Sequence, residues 1–221
     1  MQSWTRYTTA GPRGAGRPDS FVELGPDHSD GLDRRLLGDL SGMRVLDLGC
    51  GAGRSSVAMA RQGARVVAID PDEIEVERTR TAADVAEVHV EAHHGDVAEL
   101  AFLPADAFDV VVAIHSLAAI EDIGRIFRQT HRLLRADRPM VLTLPHPASL
   151  LTNPDHPTTI VRGYGSGGPL GENEFGTYPH SIGDVFTQFT RANFRVDTMI
   201  EPAGDASVPS SMVIRARKIG S

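Results

Sequence analysis

Five short runs rich in β-branched residues recur through the first two thirds of the chain: RVLDL (44–48), RVVAI (65–69), VHVEAH (88–93), DVVVAI (109–114) and MVLTL (140–144). Four of them are separated from the next by a segment long enough to cross a sheet. Strands joined by crossovers pair in parallel, and such crossovers are right-handed in nearly every case. The alternation therefore predicts an α/β fold with a doubly wound, mostly parallel sheet.

The intervening segments carry helix signals. VAMARQ is followed by Gly63, suited to the left-handed residue behind a helix. The segment from Pro71 places proline in a first turn with acids near the positive helix end. Ile123, Ile126, Phe127, Thr130 and Leu134 form one stripe. Ahead of the first strand, Leu32, Leu36, Leu37 and Leu40 recur at helical spacing, with Ser29 or Asp30 as cap. Residues 1–28, rich in Gly, Pro and Arg, read as an irregular arm or lid, and residues 29–221 as the folded domain. Residues 145–180 lack periodicity and are expected to form a loop insertion on the substrate side. Beyond them, Ser181 and Asp184 resemble a capping box, Ile182, Val185, Phe186 and Phe189 line a helix face, and Asn193 stops it. RVDTMI (195–200) and MVIRAR (212–217), with no helix between them, are expected to pair antiparallel.

Composition excludes several functions. A formal net charge of −7 over 221 residues argues against nucleic acid, whose phosphates are bound by basic surfaces. No run of 18 apolar residues is present and the N-terminus has no apolar signal region, so no membrane contact and a cytoplasmic location are expected. The single cysteine, Cys50, reads as a small filler. His146, Asp155, His156 and His180 lack tight ligand spacing, so no metal is expected.

The segment VLDLGCGAGRSS places Gly49, Gly51 and Gly53 behind the first strand, where open α/β sheets bind ligands. The dinucleotide fingerprint needs a third glycine where this chain has Arg54, so the pyrophosphate version fails. Asp47 at the end of the first strand would repel a phosphate and attract an amino group. Asp70 ends the second strand, where a carboxylate accepts both ribose hydroxyls. Asp96, after the third, is placed to accept from an adenine amino group.

These residues resemble the class I S-adenosylmethionine-dependent methyltransferases. VLDLGCGAGRSS is similar to that family's glycine-rich motif, AIDPD to its ribose-binding strand end, HHGDV to its adenine-side turn, and FDVVVAIHSL to its fourth strand and following turn. The likeness covers residues 40–145 and implies a seven-stranded Rossmann-like sheet with the last strand antiparallel. It further implies that S-adenosyl-L-methionine is held by Asp47, Gly49, Gly51, Gly53, Asp70, Asp96, Val97 and His115. Leu100, Phe102 or Leu103 would flank the adenine. The usual Pro-Gly-Gly type turn is replaced here by ADRPM.

Methyl transfer requires an acceptor held in line with the methyl and, for some acceptors, removal of a proton. Histidine suits that task near neutral pH. His115 follows the fourth strand, and His146 and His180 flank the expected substrate mouth with Tyr164 and Tyr178. These three histidines are the catalytic candidates. The expected function is S-adenosylmethionine-dependent methylation of an oxygen, nitrogen or carbon atom on a small molecule. The alternatives are a noncatalytic cofactor binder, a methyltransferase of RNA or protein, and an NAD-linked oxidoreductase; the acceptor and the oligomeric state stay open.

Overall fold

Strand and helix alternate in the order read from the sequence. The computed structural model describes residues 19–25, 31–153, 156–161, 163, 176–202 and 208–220. The elements are α1 (Leu32–Leu37), β1 (Arg44–Leu48), α2 (Arg54–Arg61), β2 (Arg65–Asp70), α3 (Glu73–Val85), β3 (Val90–His94), β4 (Val110–Ile114), a 3-10 turn (Ser116–Ala119) and α4 (Ile123–Leu133). They continue with β5 (Pro139–Pro145), α5 (Pro147–Leu151), β6 (Thr152–Asn153), β7 (His156–Ile160), α6 (Ile182–Arg191), β8 (Phe194–Ile200) and β9 (Ser211–Lys218).

Seven strands form one sheet in the order β3-β2-β1-β4-β5-β9-β8, and β6 pairs with β7 in a separate ribbon. The β1–β2, β1–β4, β2–β3 and β4–β5 pairs are parallel, whereas β9 runs antiparallel to both neighbours. This is the expected doubly wound sheet with its last strand reversed.

The unbroken apolar runs of the inner strands follow from burial on both faces. Leu46, Leu48, Val67, Ile69, Val111 and Ala113 enter one core with α4 and α6, while Val45, Val66, Ala68, Val110 and Val112 enter the other with α1, α2 and α3. Phe127 of α4 stacks on Phe189 of α6 with centroids 3.9 Å apart, fastening those helices over β4 and β5.

Several boundaries match their signals. Gly63 (φ 87°) and Asn193 (φ 58°) adopt left-handed conformations behind α2 and α6. Ser181 Oγ accepts the Asp184 N–H at 3.1 Å and donates to its carboxylate at 2.7 Å. Others differ. The cap of α1 is Gly31, left-handed and without a side-chain bond; Ser29 and Asp30 lie outside the described residues. Pro71 stands before the first turn of α3, because Asp72 is the cap and its side chain accepts the Ile74 N–H at 2.8 Å. Phe186 is 51% exposed, so the buried stripe of α6 is carried by Val185 and Phe189. The 145–180 stretch holds α5 and the β6–β7 ribbon. Of the N-terminal arm, residues 19–25 are described, and Val22 and Leu24 are buried in the core beneath α1 and α2.

Candidate functional site

Sheet order reverses direction at β1: β2 and β3 lie on one side and β4 and β5 on the other. A crevice at the carboxyl ends of β1 and β4 follows from that switch, and the 49–53 turn and the 3-10 turn meet there. The Ser116 hydroxyl donates to the Leu48 carbonyl.

The three glycines are left-handed, with φ of 73°, 51° and 79° at Gly49, Gly51 and Gly53. Gly49 and Cys50 both donate to the Ile69 carbonyl, at 2.7 and 3.2 Å, which folds the turn back over β2. A Cβ on Gly49 would fall 2.1 Å from the Ser116 Cβ, and one on Gly53 would fall 2.8 Å from Thr79 Oγ1. At these two positions the protein's own chain forbids a side chain, so Gly49 and Gly53 are needed to build the turn whether or not a ligand approaches. Thr79 of α3 also donates to the Gly51 carbonyl at 2.7 Å. Cys50 is buried beside Thr79, and that burial pushes its thiol well above the usual range, consistent with an inert filler.

Asp47 is 1% exposed and accepts the Ser56 hydroxyl at 2.6 Å. Burial pushes its pKa up to about 6; the Ser56 bond opposes the shift and the neighbouring Asp70 charge adds to it. Asp70 accepts the Gly51 N–H at 2.8 Å through one oxygen and the Asp72 N–H at 2.9 Å through the other. Burial raises its pKa as well, against those two bonds. Asp47, Asp70 and the glycine turn thus form one desolvated acidic unit. Asp96 is solvent-exposed, its carboxylate accepting the Ala98 N–H at 2.8 Å. The side chain of Val97 belongs to the core. Of the apolar residues expected beside an adenine, Leu100 and Leu103 are core and Phe102 is 57% exposed.

The histidines separate into different environments. His115 is buried with a left-handed backbone (φ 59°), and its N–H donates to the Thr143 carbonyl at 2.9 Å, tying β4 to β5. His146 caps α5: Nδ1 accepts the Ala148 N–H at 3.1 Å, which leaves the ring proton on Nε2, 2.8 Å from Glu201 Oε1. Both its ring nitrogens are committed to holding that corner together. His180 rests on the far end of the 3-10 turn, with Nε2 2.7 Å from the Ile120 carbonyl. Tyr178 N–H donates to the Ala118 carbonyl at 2.7 Å beside it. Tyr164 and Asp155 lie outside the described residues.

Four contributors went unread in the sequence: Ser56, Thr79, Ser116 and Glu201. Thr79 alone carried a usable signal, as a polar residue on the buried face of α3. Among the described residues no group of His, Cys, Asp or Glu is arranged to hold a metal ion, and no helix is long and apolar enough to cross a membrane.

Residues 45–137 match the model of a family described as Methyltransferase domain. A ubiquinone biosynthesis O-methyltransferase of Azorhizobium caulinodans is 34% identical over 113 residues, covering 51% of this chain and 44% of that protein. A magnesium-protoporphyrin O-methyltransferase of Rhodobacter capsulatus is 37% identical over 133 residues, covering 58% and 57%. The chain thus spans about half the length of the curated relatives it matches. Among solved structures, an S-adenosylmethionine-dependent methyltransferase from Mesorhizobium loti superposes with a TM-score of 0.75 at 23% identity, covering 84% of this chain and 95% of that one. Magnesium protoporphyrin IX methyltransferase from Synechocystis with bound SAH gives 0.61 at 21% identity, covering 82% and 76%. These superpositions share the fold described above.

Proposed function

We propose that this chain, whose residues 45–137 match a methyltransferase domain model, transfers a methyl group from S-adenosyl-L-methionine to a small molecule. The observation that carries the reading is the buried pair Asp47 and Asp70 around the glycine turn. Burial, a hydroxyl and a second carboxylate surround Asp47, an environment that repels phosphate and favours an ammonium group. Each Asp70 oxygen accepts one backbone N–H, and a carboxylate oxygen has a second lone-pair site for a ribose hydroxyl. The residues therefore fit the cofactor: Asp47 toward its amino group, Gly49, Gly51 and Gly53 toward its backbone-facing edge, Asp70 toward the ribose. Asp96, Val97 and His115 complete the proposed set on the adenine and methyl sides.

When bound, S-adenosylmethionine supplies a methyl group already activated by its sulfonium charge. The protein's contribution is then to bind, orient and exclude water. The segments carrying His146 and His180 are proposed to cover the acceptor. A small-molecule acceptor is supported by the net charge of −7 and by the names of the relatives, O-methyltransferases of ubiquinone biosynthesis and of magnesium protoporphyrin.

Titration calorimetry tests the reading. S-adenosylhomocysteine is expected to bind and NAD to give no heat; binding of NAD alone, or of neither, overturns it. Asp70→Ala is expected to weaken S-adenosylhomocysteine by about 1–3 kcal/mol, the cost of leaving buried hydroxyls and N–H groups unpaired. Asp70→Asn keeps one acceptor oxygen and should fall between the two. Equal affinity in all three proteins would remove Asp70 from the site.

A further inference from the structure

We infer that His180 is the base that takes a proton from the acceptor, and that the acceptor atom is therefore a hydroxyl oxygen. This rests on the methyltransferase reading above and goes beyond it by naming the proton's destination and the class of acceptor.

A carbonyl only accepts, so the 2.7 Å contact between His180 Nε2 and the Ile120 oxygen places the ring proton on Nε2. Nδ1 is left as a lone pair, and no donor to it is found among the described residues. This is the state a general base needs, with one nitrogen anchored and the other open. His146 is the reverse case, its Nδ1 spent on the Ala148 N–H and its Nε2 on Glu201.

The turn that holds His180 begins at Ser116, which packs where a Gly49 side chain would be and donates to the Leu48 carbonyl. At a rise of about 2.0 Å per residue, a 3-10 turn places Ile120 about 8 Å beyond Ser116. The same short element thus abuts the glycine turn at one end and His180 at the other. The second backbone bond, from Tyr178 to Ala118, holds the segment in register.

Burial lowers the pKa of His180, opposed by its bond to Ile120 and by Asp184 in the first turn of α6. The 3-10 turn against which it packs carries no charge. The ring is therefore neutral at pH 7.

The chemistry sets a hydroxyl apart from a neutral amine. A neutral amine attacks through its free lone pair, whereas a hydroxyl must shed its proton as the new bond forms. In the step proposed, the hydroxyl oxygen bonds to the methyl carbon while the carbon–sulfur bond breaks and its electron pair returns to sulfur. The hydroxyl proton passes to His180 Nδ1 and leaves to water after product release. The products are a methyl ether and S-adenosylhomocysteine.

The test compares wild type with His180→Gln, whose amide reaches the Ile120 carbonyl and keeps the docking bond. With catechol as probe, turnover is expected to fall about 100-fold or more. With 4-nitrocatechol, which ionises without help near neutral pH, the loss should be less than about 10-fold, because the base has little left to do. S-adenosylhomocysteine affinity should stay unchanged. In wild type saturated with S-adenosylmethionine, where the protonation of Asp47 no longer limits cofactor binding, the acid limb of kcat/KM for catechol should lie below about 6.5, the ordinary imidazole value, and should vanish in the variant. Nitrogen NMR of the S-adenosylhomocysteine complex should show an unprotonated His180 Nδ1 at pH 7, a readout independent of turnover. The inference is overturned by a proton on Nδ1, by equal losses with both catechols, by transfer to aniline but not to either catechol, or by no transfer to any of the three while S-adenosylhomocysteine binds. Absence of S-adenosylhomocysteine binding by wild type instead removes the cofactor reading, and this inference with it.

Discussion

Gly49→Ala is expected to destabilise the unliganded protein by about 2–5 kcal/mol, combining a left-handed residue at about 1–2 kcal/mol with overpacking at about 1–3 kcal/mol. In a domain of this length that corresponds to about 10 °C in Tm. Gly42 supplies the control. Its φ is 70°, close to the 73° of Gly49, but a Cβ there meets nothing within 4 Å. Gly42→Ala should therefore cost only the backbone contribution, about 1–2 kcal/mol. Removing the obstacle should recover the rest, less what the lost bond from Ser116 to the Leu48 carbonyl costs: with Ser116→Gly added, the nearest remaining atom is the Ser116 Cα at 3.4 Å. Thermal melts of the three variants without ligand decide the matter. If Gly49→Ala is no less stable than Gly42→Ala, the 3-10 turn does not crowd position 49.

That comparison also marks the boundary of what a sequence reveals. Three glycines behind an apolar run were enough to locate the turn, because a left-handed backbone is a local property. What crowds them was not legible, since Ser116 lies 67 positions from Gly49 and Thr79 lies 26 from Gly53 in the chain. The strands and their parallel order were readable from alternation with helices, and the reversal of β9 from the missing crossover. β3 starts later than its apolar pattern suggests because Val88 N–H still donates to the Ala83 carbonyl, closing α3 through Glu87 at φ 54° with no glycine to signal it. α5 and the β6–β7 ribbon escaped notice for a simpler reason: elements of five, two and five residues are too short to display a period.

The site divides in the same way. That Asp47 and Asp70 lie together at the glycine turn was legible because strand ends in an open α/β sheet point to one crevice. The histidines were not ranked by sequence, because rank depends on which ring nitrogen is engaged. His146 stands beside two prolines in LPHP and resembles a mouth residue, yet its ring caps α5 and reaches Glu201 across the sheet edge. His180 looks equally ordinary in TYPHS. Only the Ile120 carbonyl distinguishes it, and that contact spans 60 positions.

Asp47 should make the unliganded protein less stable as pH rises from about 4 to 7. Its pKa is about 6 when folded against an ordinary 3.8, so the native state binds the proton more tightly than the unfolded chain. The stabilisation is fully present below the unfolded value and is lost as pH climbs through the folded one. A shift of about two units corresponds to about 3 kcal/mol. Asp106, Asp109 and Asp197, whose pKa values are lowered by Lys218, by the Arg44 N–H and then Arg135, and by Arg215, drift the other way, losing stability as pH falls. The informative quantity is therefore the difference between wild type and Asp47→Asn, in which the amide retains a partner for Ser56. That difference should move by about 3 kcal/mol in favour of the variant between pH 4 and pH 7 in chemical denaturation. Binding should show the mirror image. An ammonium group beside the carboxylate favours its ionised form, so S-adenosylhomocysteine affinity should rise in wild type as pH passes through about 6, with about one proton released from Asp47. Asp47→Asn should bind weakly and show little of that dependence. Identical pH profiles for the two proteins, in stability and in affinity alike, would mean that the buried charge is neither a cost to the empty fold nor the anchor of a cationic ligand.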